Sequence, residues 1–168
     1  MLAEERASNK HGGGDGNGLH AAFAREARVL GLLYRQEGKG EESVRLHQRA
    51  RRLHMAALGA AHREVARDLC NLGNALCDVG KLDDAVSAFK DAHEIDMAAL
   101  GPEHVDTATD IGSLGMVLAV QKKWKEALPL LKQAHNVLTS CLEPHAPNLL
   151  AISRFYNETS ERMRAMSS

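Results

Sequence analysis

Aromatic side chains are scarce: Phe, Trp and Tyr together make up 4% of the chain, too few for a core of aromatic and β-branched strands. Long apolar runs are missing as well. With no stretch of about 18 apolar residues, the sequence predicts no membrane span, and Glu4, Glu5 and Arg6 stand where a signal peptide would need an apolar run. Cysteine is limited to Cys70, Cys77 and Cys141, an odd number without disulfide-framework spacing, which points to a reducing compartment and a cytoplasmic location. Neither sign of charge is in excess. At a formal net charge of -1, no global field draws the chain to nucleic acid or anionic lipid.

Motifs for chemistry are lacking too. Neither CxxC nor HExxH occurs, no phosphate-binding G-x-x-x-x-G-K-[ST] follows a strand, and there is no G-x-S-x-G. The acidic pairs Glu41-Glu42 and Asp83-Asp84 fall at helix starts, where they complement the helix dipole. Of the nine histidines, His20, His62 and His104 recur at matching points. Spaced by a helix-packing distance of about 10 Å, they diverge rather than meet at one ion. Capping or packing of a turn is their expected role. His47 with His54, and Cys70 with Cys77, are seven residues apart on a helix, about 10 Å and too far to share a ligand. No metal, cofactor or enzymatic activity is expected.

What the chain does have is a stride. Leu58-Gly59, Leu100-Gly101 and Leu142-Glu143 are spaced by 42 residues, as are Gly31, Gly73 and Gly115, and Ala50, Ala92 and Ala134. A fixed period of this size marks a stacked helical array, each unit burying its apolar face against the next. The glycine-rich residues 1–18 read as a flexible tail. One domain spans 19–168, with units 19–59, 60–101 and 102–143 and a terminal capping helix at 144–166. In the first unit, helical spacing puts Phe23, Ala27, Leu30 and Tyr34 on one face of the first helix. Val44, Leu46, His47, Ala50, Leu53, Ala57 and Leu58 form the inner face of the second. Pro129, early in a later helix, is expected to give a mild kink, and Trp124 before it to pack a turn.

Leu69, Leu72, Gly73, Leu76, Ala85, Phe89 and Ala92 stand at the spacing W-x2-L-G-x2-Y…A-x3-F-x2-A, and the second unit thus resembles a tetratricopeptide repeat. Ile111, Leu114, Gly115, Leu118, Ala127, Leu131 and Ala134 repeat the pattern. Ala27, Leu30, Gly31, Tyr34, Ser43, His47 and Ala50 keep a worn version. A period of 42, longer than the common 34, is similar to kinesin light chain-type repeats. So are Leu100-Gly101-Pro102-Glu103-His104, Leu69-Cys70-Asn71-Leu72-Gly73 and the turn Gly80-Lys81-Leu82-Asp83-Asp84-Ala85. The resemblance implies an all-α, right-handed superhelical array of antiparallel helix hairpins.

It also implies a concave groove lined by the first helix of each unit. Carried onto this sequence, its ligand-facing positions are Arg25, Arg28, Leu32 and Arg35, then Cys70, Asn71 and Asn74, then Gly112, Ser113 and Met116. Asparagines can both donate to and accept from a peptide backbone, and arginines fork to carboxylates. The expected partner is an extended, acidic peptide. Residues 19–59 carry net +4, residues 60–101 net -4 and residues 102–143 net -1, so self-association of a basic end with an acidic middle is the alternative. RNA binding through the basic first unit is a further alternative, disfavoured by the scarcity of aromatics and the neutral balance.

Overall fold

The computed structural model describes residues 13–166, which form seven helices and no strand. They are α1 (Gly13–Gln36), α2 (Gly40–Leu58), α3 (Arg63–Asp78), α4 (Leu82–Leu100), α5 (Val105–Val120), α6 (Trp124–Cys141) and α7 (Pro147–Ala165). Three antiparallel hairpins, α1–α2, α3–α4 and α5–α6, stack through the contacts α2–α3, α4–α5 and α6–α7. α7 also packs on α5. This is the expected superhelical array.

Small residues set the spacing within each hairpin. A Cβ added to Gly31 would lie 2.7 Å from the His47 ring, one on Gly73 2.7 Å from Phe89, and one on Gly115 2.8 Å from Leu131. The same contact therefore recurs at every stride, glycine on the first helix under a large side chain on the second. Gly38 and Gly80 turn each hairpin at φ 75, in the left-handed region that glycine adopts without a Cβ penalty. The third turn places Lys122 there, at φ 62.

The histidines of two turns act as helix caps. His62 Nδ1 accepts from the Glu64 N–H at 3.2 Å, and His104 Nδ1 from the Asp106 N–H at 3.1 Å. His20 has no such role, because α1 continues upstream of it to Gly13. Part of the segment read as a flexible tail is thus helical, since each residue added to an established helix gains a hydrogen bond. Residues 1–12 lie outside the described residues. α6 runs through Pro129, and the Arg162 guanidinium of α7 sits over the Trp124 ring at 5.3 Å.

The apolar face read on α1 is only partly buried. The side chains that α1 buries are small, Ala21, Ala24 and Ala27, whereas Phe23 is 42% and Leu30 47% exposed. One stride on, their equivalents Val65 and Leu72 are buried beneath the preceding hairpin. α1 has the same apolar surface with no described neighbour over it.

Candidate functional site

The first helices bring the expected groove residues into two settings. Arg28 is drawn inward: its side chain is 12% exposed, bonds Glu64 at 2.6 Å and reaches Asp68 at 3.4 Å. Arg35 bonds Asp78 at 2.5 Å. Lys81 with Glu41 and Arg63 with Asp106 continue the series between successive units. The alternating unit charges therefore pair within the molecule. Of the three arginines, only Arg25 is exposed without an ion pair among the described residues. Leu32 is exposed on the same helix.

Further along, Asn74, Ser113 and Met116 meet in a recess of about 240 Å³, closed by Cys77, Phe89, Val117 and Phe155. The Ser113 hydroxyl donates to the Thr109 carbonyl at 2.9 Å. Asn74, on the lining of this recess, has no side-chain hydrogen-bond partner among the described residues. Gly112 is not ligand-facing: the space a Cβ would need is taken by Ile152 of α7.

Cys70 and Asn71 line a second, smaller recess of about 140 Å³ with Arg63, Arg67, Asp96, Asp106, Thr109 and Asp110. The Cys70 thiol donates to Asp110 Oδ1 at 2.7 Å. Burial, reinforced by Asp110, pushes that thiol well above its ordinary range, which makes it a poor nucleophile at neutral pH.

The seams between units hold residues that motif reading missed. At the first seam Asp68 is met by two residues of the preceding unit, Arg28 from α1 and His54 from α2, whose Nδ1–H donates to Asp68 Oδ2 at 2.5 Å. Burial raises the Asp68 carboxyl and outweighs the lowering by His54 and Arg28. Burial also opposes ionisation of Glu64, but its bond to Arg28 and the charges of Arg28 and Arg67 hold it below the usual range. One stride later the acid is Asp110, and the positions of Arg28 and His54 hold Cys70 and Asp96. At the third seam they hold Gly112 and Leu138, which lie in an apolar setting with Ile152. The signal was in the sequence as Glu26, Asp68 and Asp110, an acid at each stride.

The sequence profile of the tetratricopeptide repeat matches residues 25–98 and again 69–140. The chain belongs to the tetratricopeptide repeat family. No curated protein sequence matches it. Several solved tetratricopeptide structures share its fold. One, from a Podosopora anserina protein assigned as a kinesin light chain with nearly identical TPR-like repeats, aligns at a TM-score of 0.74 and 21% identity over 83% of this chain. BtubC (BKLC) from P. vanneervenii aligns at 0.68, with 16% identity over 86%. The chain spans 66% and 64% of the lengths of these two proteins. The TPR2B domain of yeast Sti1, solved as a complex with pHsp70, aligns at 0.65 with 18% identity, over 84% of this chain and 98% of that domain.

Proposed function

We propose that this tetratricopeptide array is a protein-interaction adaptor that captures an extended peptide along α1, α3 and α5. The observation that carries this reading is the gathering of Asn74, Ser113 and Met116 from α3 and α5 into one recess. The Asn side chain suits a peptide carbonyl and N–H, while Met116 and Phe155 offer apolar contact to a side chain. The yeast Sti1 domain complexed with pHsp70 supports the reading as a relative of the same fold. Arg25 is the residue on this face left to meet an acidic side chain, because Arg28 and Arg35 are held by Glu64 and Asp78.

The test is affinity selection of peptides from a random library on the full chain, followed by titration of the selected peptides against Asn74→Ala with Met116→Arg. Loss of about tenfold or more in affinity is expected, the scale of a lost anchor contact. Arg25→Glu should weaken only those peptides that carry an acidic residue. Unchanged affinities in the groove variant would remove the proposal.

A second reading is favoured by the exposed row Leu19, Phe23, Leu30 and Leu33 on α1, a surface suited to assembly. Light scattering of the chain and of Leu30→Glu separates it: a mass that falls with the substitution supports assembly, and a monomer in both excludes it.

A further inference from the structure

We propose that the crevice between α3 and α5, lined by Asp96 and Asp110, receives a lysyl or arginyl side chain from a bound polypeptide. The protein's own first seam supplies the template. There, the carboxylate one stride earlier, Asp68, is closed over by a guanidinium from Arg28 and an imidazole from His54. At the second seam the chain keeps the acid and replaces both partners, Arg28 by Cys70 and His54 by a second acid, Asp96. The cationic part of the arrangement is what has been removed.

The geometry of what remains is that of a receptor. Asp96 is 6% and Asp110 2% exposed, and Oδ1 of Asp96 and Oδ2 of Asp110 are buried without a hydrogen-bond partner. Both residues line the recess of about 140 Å³, which also includes Asn71 and Thr109 on the first helices. The two arginines on the lining already have partners, Arg63 in Asp106 of the same lining at 2.9 Å and Arg67 in Glu64 at 3.0 Å. Cys70 supplies one weak S–H donor, to Asp110 Oδ1. Two buried carboxylates that no cation pairs directly are costly, and a charged donor delivered from outside would satisfy the unpaired oxygens. Consistent with that need, the Asp110 carboxyl is pushed up to about 7, chiefly by burial and then by the charges of Asp96 and Asp106, against the lowering by the Cys70 bond. Asp96 is raised too, by burial and Asp106, against the pull of Arg63, His104 and Arg67. A guest cation would bind more tightly as pH rises through that range.

This inference rests on the first-helix face being the binding face, but its probe is a single residue. A chain that takes the probe and no extended peptide keeps the recess and loses the groove reading. The converse result keeps the groove and loses the recess. The experiment titrates the isotopically labelled full chain with acetyl-arginine amide and, separately, with acetyl-citrulline amide, its neutral isostere. Amide shifts are followed above the Asp110 range of about 7. Saturable shifts at Cys70, Asn71, Thr109 and Asp110 with the arginyl compound, and none with the citrulline compound, are expected.

The decisive variant is the graft Cys70→Arg with Asp96→His, which copies the first seam and fills the recess from within. It should weaken the probe by at least about tenfold. Asp110→Asn, nearly isosteric, provides the same reading if the graft does not fold. Equal shifts with both compounds, or full binding by the variants, overturns the proposal. So does Mg²⁺ or Ca²⁺ producing these shifts where the arginyl compound produces none.

Discussion

His54 and Asp68 form a fully buried pair across the seam of the first two units, Nδ1 to Oδ2 at 2.5 Å, with Arg28 reaching the second carboxylate oxygen at 3.4 Å. Removing one member of such a cluster strands the others out of water. Asp68→Ala should therefore destabilise the fold by about 3–5 kcal/mol in urea unfolding. A loss under about 1 kcal/mol, the scale of an exposed pair, would show that the seam does not depend on this contact.

His47 presents a different economy. Its ring packs on Gly31 as Phe89 packs on Gly73, yet both ring nitrogens are buried without a hydrogen-bond partner. Burial, then the charges of Arg35 and Arg28, lower its pKa from 6.5 to about 4. Its folded value lies below the unfolded one, so the associated stability is complete above pH 6.5 and is lost as pH falls towards about 4. His47→Phe should stabilise by about 1–3 kcal/mol at neutral pH, the cost of unsatisfied buried polar atoms. Its advantage over the unaltered chain should widen on acidification. A constant difference across that range would contradict the assignment.

Asp110 has the opposite sign. With its folded pKa raised from 3.8 to about 7, its contribution is complete below 3.8 and is lost as pH rises to about 7. Asp96, raised in the same direction, adds to the trend. In thermal melts over this range, Asp110→Asn should gain on the unaltered chain with rising pH, by at most about 1.4 kcal/mol per unit. Parallel stability curves for the two proteins would refute this.

Lys122 occupies a backbone conformation that Gly38 and Gly80 hold at the equivalent turns, with φ 62 against 75. A left-handed residue with a Cβ costs roughly 1–2 kcal/mol, part of which glycine returns through its greater unfolded freedom. Lys122→Gly is expected to raise stability by about 1 kcal/mol. Lys122→Ala, which keeps the Cβ, should raise it little, so equal gains from both would point to the lysine charge instead.

The stride, the glycine contacts and the histidine caps at His62 and His104 were legible because each depends on residues close in sequence or repeated at one spacing. The burial of α1 was not. Phe23, Leu30 and Leu33 surround much of that helix with apolar surface, so helical spacing alone cannot say which side meets a neighbour. The ion pairs of the arginine stripe were not legible for a related reason. Arg28 and Arg35 lie on one face as expected, but Glu64 stands 36 and Asp78 43 residues away, in the next unit. The net charges of the units suggested attraction between molecules, whereas the observed ion pairs join adjacent units of one chain. Comparing Arg28, Cys70 and Gly112 with His54, Asp96 and Leu138 position by position would have revealed three unlike seams.

That unlikeness means the units are not interchangeable parts. A tandem made only of second units would set an Asp96 against an Asp68 at every joint, with a thiol where the guanidinium belongs. Copying the most regular stretch of this chain would thus multiply its least compensated junction, and a designer extending it would need to graft both partners from α1 and α2.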